Sequence, residues 1–333
     1  MKAVVYHRHG TIDELHVEDL PEPELRPGDA LVEVAATSLN GFDPMMLAGT
    51  TSLATPMPMV PCGDFAGRIA GFADDTDKGS WQIGDRVCPH PFVFGEGMTG
   101  ETRTGAACER VRIPVANLLP IPDAVTDVQA ASLPIAYGTA YRMMVTRGAV
   151  RANEQVLVLG ATGGVGTGCV QLAKAVGAEV IALGSEEKHA ALREIGADHV
   201  IDSRADDWVE AVQAIAGRPR MFGASGVDVA INYIGGDTWA DSLRCLRHDG
   251  RMLTCGATIG FNPPTDIRYI WTYEQRILGS NGWTPDEQRQ VLDLVAQKEL
   301  EPIIDSVVPL EGLPQALQSL IDRRVFGKVV IEI

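Results

Sequence analysis

"VLVLGATGGVGTGCVQLAKAVGAEVIALG", residues 156–184, decides the fold. It opens on a continuous apolar run ending at Leu159–Gly160. A glycine-rich turn follows, then a helical pattern to Val176, then a second apolar run, "EVIALG". The turn is the G-x-G-x-x-G pattern with Ala161 at the first glycine, Gly163 at the second and Gly166 at the third. A glycine at the second position lets the backbone approach a pyrophosphate. One at the third lets the helix pack closely on the strand, and the helix N-terminus offers free N–H groups and a partial positive charge. Ala161, Thr162, Gly163, Gly164, Val165 and Gly166 are therefore expected to hold a dinucleotide.

The second strand carries the choice between the two nicotinamide dinucleotides, because a carboxylate at its tip takes the ribose 2′-hydroxyl of NAD. Here the strand ends on Gly184 and Ser185, with Glu186, Glu187 and Lys188 behind them. The small residues leave room for a 2′-phosphate, and Ser185, Lys188 and Arg204 can pair with it. NADPH is the expected cofactor; Glu186 is the residue that argues for NADH.

The texture around this unit has two parts. Residues 1–120 hold short β-branched runs ("MKAVVYH", "ALVEVAATSL", "AGRIAGFA", "DRVCPH", "ERVRIPV") between Pro, Gly and Asp clusters, as in a small barrel or sandwich. From about residue 124 helical patterns alternate with near-continuous apolar strands, the mark of a parallel sheet covered on both faces. The expected fold class is α/β. A doubly wound parallel sheet spans 124–282, and a β-rich domain is built from 1–123 and 283–333.

Composition narrows the partners. The 333 residues carry 44 acidic and 28 basic side chains, a net charge of −16, with no Lys/Arg cluster, which excludes nucleic acid as an expected partner. No apolar run reaches the length of a membrane span, about 18 residues, and "MKAVVYHRHG" does not read as a signal peptide. Six scattered cysteines without C-x-x-C spacing predict free thiols in a reducing compartment, the cytoplasm; the acidic charge still leaves room for a small-molecule, phosphate-bearing ligand as partner.

The whole pattern resembles the medium-chain dehydrogenase/reductase superfamily, in particular its zinc-independent quinone oxidoreductase (zeta-crystallin-like) branch. "AATSLNGFDPMMLAG", "PMVPCGDFAGRIAG", "AASLPIAYGTAY", "GATGGVGTGCVQLAKAVGAEVIA" and "RRVFGKVVIEI" carry the likeness. It implies a Rossmann domain beside a GroES-like catalytic domain, and a homodimer paired through the last Rossmann strand, here "RILGS". By the same match Asn40, Asp43 and Thr139 line the nicotinamide end, and Lys328 stands near the cofactor. Zinc-dependent relatives place their ligands where this chain has Asn40, Gly63 and Ile135; their glutamate matches Asp64. Zinc needs thiolate, imidazole or carboxylate ligands, so no metal is expected. Gly63 then leaves space beside the nicotinamide. Cys62, Asp64, Cys88 and His90 are the one other grouping of ligand types, and free buried cysteine is the commoner reading for it.

Without a metal to polarise a carbonyl, hydride transfer to a quinone or an activated C=C is the easier chemistry, because the charge that develops is spread over an enolate or hydroquinone oxygen. The candidate catalytic residues are Asn40, Asp43 and Tyr137. Asn40 donates to a substrate oxygen, holds the nicotinamide ribose or satisfies its own loop; Asp43 either caps the helix begun at Pro44 or takes part in catalysis. A tyrosine found in some relatives is Met45 here. Tyr137 and Tyr233 are then the remaining hydroxyl donors, unless they are core residues and solvent supplies the proton. The ends of two later strands put Cys255, Gly256, Ala257, Gly279 and Ser280 at the carboxyl edge of the sheet, against the nicotinamide. Loops 42–60, 92–107 and 261–275 build the substrate pocket, and "IRYIWTYEQR" forms a substrate wall or a dimer contact. The expected activity is NADPH-dependent reduction of a quinone or enone. The alternatives are a zinc-independent alcohol or aldehyde oxidoreductase and a nucleotide-binding protein without turnover.

Overall fold

The computed structural model describes residues 1–333 as two compact units, Met1–Ala136 with Thr284–Ile333, and Tyr137–Trp283. The first unit runs past the break expected after residue 123. The helix Asp127–Ala131 holds Ala130 and Ala131 fully buried, and the Cys88 thiol donates to Ala130 O at 3.2 Å. This helix starts on a capping box between Thr126 and Gln129. Pro134 then opens a second helix, Pro134–Tyr141, so the chain leaves helix at Ser132–Leu133, as a residue before proline favours.

The centre of the first unit is the ten-residue strand Asp29–Ser38, apolar on one face as alternation requires. It pairs antiparallel with Asp64–Phe72, Arg110–Pro114 and the last strand, Lys328–Glu332, which in turn pairs parallel with Ile304–Pro309. The register sets Ser38 opposite Asp64 on one side and opposite Val330 on the other. Chain ends far apart in sequence are thereby brought to one end of the sheet. "DRVCPH" yields only the two-residue strand Arg86–Val87.

The second unit is a six-stranded, wholly parallel sheet. From edge to edge its strands are His199–Asp202, Glu179–Gly184, Gln155–Val158, Val227–Ile231, Leu246–Thr254 and Arg276–Gly279. Strand order reverses beside Gln155–Val158, the strand that leads into the glycine turn, and this is where doubly wound sheets bind ligands. The stretch "IRYIWT" is a helix, Ile267–Thr272, not a loop. No helix of the chain is long and apolar enough to cross a membrane.

Candidate active site

The glycine turn is built from close backbone contacts. Gly160 takes φ +67°, a conformation that favours glycine. A Cβ on Gly166 would stand 2.2 Å from Gly160 O and 2.7 Å from Ala161 Cα, so the helix Gly164–Ala175 lies directly on the turn. A Cβ on Gly163 would meet nothing nearer than Gly160 O at 3.7 Å. Gly163 is the N-cap and contributes no side-chain acceptor, so the helix start faces open space where a pyrophosphate fits. Tyr233 corrects one expectation. Its hydroxyl donates to Gly160 O at 2.7 Å, which ties it to the turn rather than to a substrate. Burial pushes its phenol well above the ordinary range.

At the tip of the second strand Ser185 precedes a short turn, Glu186–Lys188. The Glu187 carboxylate receives the Arg204 guanidinium at 3.0 and 3.3 Å and the Ser185 side chain. Two of the three groups expected around a 2′-phosphate therefore converge on one anion already. At the other edge, Thr254 and Gly279 are register partners, so Cys255, Gly256 and Ala257 lie beside Gly279 and Ser280. Thr139 is half-buried on the helix Pro134–Tyr141. Tyr137, expected as a hydroxyl donor to the substrate, is fully buried, with Oη 3.3 Å from Thr167 Oγ1 on the dinucleotide helix.

The first unit holds a buried polar cluster that the sequence reading met only in pieces. Lys328, 2 % exposed, donates to Leu39 O and Asn40 Oδ1, each at 2.6 Å, and to Asp64 Oδ2 at 3.3 Å. Asp64, 0 % exposed, also accepts from Asn40 Nδ2 at 2.9 Å, Ser38 Oγ at 3.2 Å and Ile135 N at 2.8 Å. Lys328 is thus a buried ammonium held by three oxygens of the first unit. Asn40 spends its amide on Lys328 and Asp64. Asp43 is neither helix cap nor exposed catalyst: its oxygens accept Asn40 N at 2.6 Å and Cys62 N at 3.2 Å, while the N-cap is Phe42. It holds the two loops that carry Asn40 and Gly63.

Burial pushes the Asp43 carboxyl up to about 7, against backbone hydrogen bonds and Lys328, which favour the anion. A carboxyl raised this way holds its proton when folded over a range, roughly pH 4 to 7, in which the unfolded chain releases it. Its contribution favours the fold below about pH 4 and is lost as pH rises through about 7, at up to about 1.4 kcal/mol per pH unit. Asp43→Asn is expected to flatten that part of the stability profile, measured as urea midpoints from pH 4 to 8.

The positions of zinc ligands in dehydrogenases carry no ligand set. Asn40 is committed to Lys328 and Asp64, and Gly63 and Ile135 have no donor side chain. Nor is Gly63 an open space, as the sequence suggested: a Cβ there would meet Thr99 O at 2.6 Å and Ile135 Cδ1 at 2.7 Å. An ammonium beside Asp64 also repels a dication electrostatically. These residues do not fit zinc. Cys88 bonds to Ala130 O and Gln288, and burial holds the thiols of Cys62 and Cys88 well above their usual range.

Comparison with known proteins places this geometry. The zinc-binding dehydrogenase family matches residues 164–297, and the alcohol dehydrogenase GroES-like domain family matches 26–123. The chain is 30% identical to a crotonyl-CoA reductase of Streptomyces avermitilis, over 95% of this chain and 81% of that one. It is 28% identical to a quinone oxidoreductase of Homo sapiens, over 96% and 94%. Among solved structures it is similar to an NAD-dependent alcohol dehydrogenase, with a TM-score of 0.92, 30% identity and full coverage of both chains.

Proposed function

We propose that this chain, which belongs to the medium-chain dehydrogenase/reductase superfamily, is a zinc-independent reductase that uses NADPH to reduce a quinone or the C=C of an α,β-unsaturated carbonyl compound. It is an oxidoreductase by kinship. The observation that carries the finer reading is the cluster in the first unit, where Asn40, Gly63 and Ile135 stand at the ligand positions and Lys328 holds Asp64.

The bound dinucleotide supplies the hydride. The chain's part is to bind and orient it: the helix at Gly164 takes the pyrophosphate, and Gly163 keeps the approach clear. Ser185 and Lys188 receive the 2′-phosphate, with Arg204 turning from Glu187 to join them. Cys255, Gly256 and Ala257 back the nicotinamide. Lys328, Asp64 and Asn40 keep the first unit's loops in one arrangement. Since Asn40, Asp43 and Tyr137 are each committed inward, solvent protonates the reduced acceptor. This suits acceptors that delocalise charge and does not suit simple alcohols, whose oxidation needs an electrophile or base at the oxygen. The strand Arg276–Gly279 is an open sheet edge with Ile277 partly exposed, and the homodimer is assigned to it. The free thiols suit a cytoplasmic setting.

The test is dinucleotide consumption over benzoquinone, phenanthrenequinone, methyl vinyl ketone and crotonyl-CoA, with NADPH and NADH, beside ethanol and benzyl alcohol with NADP⁺. Reduction of quinone or enone with a lower KM for NADPH is expected, and metal analysis of the purified protein should find zinc well below stoichiometric. Stoichiometric zinc, or turnover of alcohols alone, overturns the reading.

A further inference from the structure

A cavity of about 510 Å³ opens at the carboxyl ends of the strands Leu246–Thr254 and Arg276–Gly279, inside the second unit. It is widely open to solvent and its volume is in the range of small-ligand sites, so a nicotinamide ring against Cys255 and Gly256 leaves part of it unfilled. In a chain of net charge −16, its lining has two arginines, Arg142 and Arg147, and no carboxylate. A local positive site in an acidic protein gathers anions.

Two features show that the place is built. The helix that brings the arginines widens to a π-helical turn over Arg142–Arg147, with Gly148 N donating to Met143 O at 2.8 Å. Such turns are rare and concentrate at functional sites, and here the wider winding brings residues five apart to the same cavity. Arg147 Nε donates to Gly279 O at 3.0 Å, which fixes the guanidinium at the rim, and no carboxylate of the chain pairs with it. Ser280 is 6 % exposed, lines the same cavity, and its hydroxyl has no hydrogen-bond partner. A buried hydroxyl left unpartnered is costly and calls for a ligand.

We propose that Arg147 and Ser280, with Arg142 beside them, form an oxyanion subsite that takes a carboxylate or phosphate of the acceptor. The acceptors are then anionic: unsaturated acids, or thioesters whose carrier bears phosphate. The guanidinium gives paired N–H bonds to the anion, and the Ser280 hydroxyl gives a further one. This rests on the reductase reading above and names its substrate class.

The probes are monomethyl fumarate and dimethyl fumarate, which share one C=C and differ by a carboxylate. In Arg147→Ala the ratio of kcat/KM for the acid to that for the diester should fall roughly ten- to a hundredfold through the KM of the acid, the loss of a charge-assisted pair. Ser280→Ala should lower it by a smaller factor and Arg147→Lys should restore part of it. An unchanged ratio, or an equal loss in the KM for NADPH, overturns the subsite. If the wild-type protein reduces neither ester, the reductase reading fails separately, and calorimetry with inorganic phosphate still decides the subsite. Binding that Arg147→Ala abolishes supports it; binding that is absent, or unchanged in the variant, overturns it.

Discussion

Replacing Lys328 by Met is expected to destabilise the first unit by about 3–5 kcal/mol, the usual cost of removing one partner from a buried ion pair. The side chains of Lys328 and Asp64 are 2 % and 0 % exposed, and Asp43, 2 % exposed, adds a second carboxylate to the neighbourhood. One ammonium serves both. Methionine fills a similar volume, so the loss is electrostatic and not a cavity. Two consequences separate this from general damage. Lys328 pulls the Asp43 carboxyl down, so its removal raises that group further. A raised carboxyl favours the fold at low pH and loses that contribution as pH rises. The gap between variant and wild type should therefore widen from pH 5 to pH 8. Second, Lys328→Met combined with Asp64→Asn should recover part of the loss, because the uncompensated charge goes while Ile135 N still has an acceptor at residue 64. Urea midpoints of the wild type, Lys328→Met, Asp64→Asn and the double variant at pH 5 and pH 8 test both. A penalty independent of pH, with no recovery in the double variant, would mean that the ammonium contributes packing alone.

This cluster also shows where sequence reading stops. The turn at Gly160–Gly166 was legible because its chemistry is local: strand, glycines and helix follow one another within residues 156–176. The Lys328 bond to Asn40 spans 288 positions and the one to Asp64 spans 264, and only the pairing of the last strand with Asp29–Ser38 joins them. The one local sign was a lysine opening the apolar run "KVVIEI", which demands a buried partner without naming it. Asn40 and Asp43 were found as positions, but their roles turned from catalytic to positional once both side chains proved to be spent on neighbours. Arg142 and Arg147 escaped notice for another reason. Five residues is not a spacing that an α-helix places on one face, so the pattern has no meaning until the π-helical turn is seen. Ser280 was picked for its strand end alone, and its unpartnered hydroxyl is a fact of packing that no sequence states.

The glycines of the dinucleotide turn allow a sharper separation of binding from folding, because two of them are constrained by different neighbours. Gly163→Ala should leave the fold of the second unit intact: φ −85° and ψ 171° suit alanine, and the nearest atom to the new Cβ is 3.7 Å away. The methyl group instead stands where the pyrophosphate approaches the helix start. NADPH affinity should fall by about 2–3 kcal/mol, roughly a hundredfold in Kd, with no change in the thermal midpoint of the cofactor-free protein. Gly166→Ala meets backbone on both sides, at 2.2 Å from Gly160 O and 2.7 Å from Ala161 Cα, and neither can swing aside as a side chain could. Its cost should reach or exceed the ~3 kcal/mol top of the ordinary overpacking range. The Tyr233 hydroxyl, bonded to Gly160 O, should be displaced with it. The expected signature is lost NADPH binding together with a lowered midpoint in the absence of cofactor, against lost binding alone for Gly163→Ala. Fluorescence titration with NADPH and thermal unfolding of both cofactor-free variants provide the comparison. If Gly163→Ala lowered the midpoint as much as Gly166→Ala, or bound NADPH as tightly as the wild type, the pyrophosphate would not lie against the Gly163 backbone, and the positioning argued for the hydride donor would fail with it.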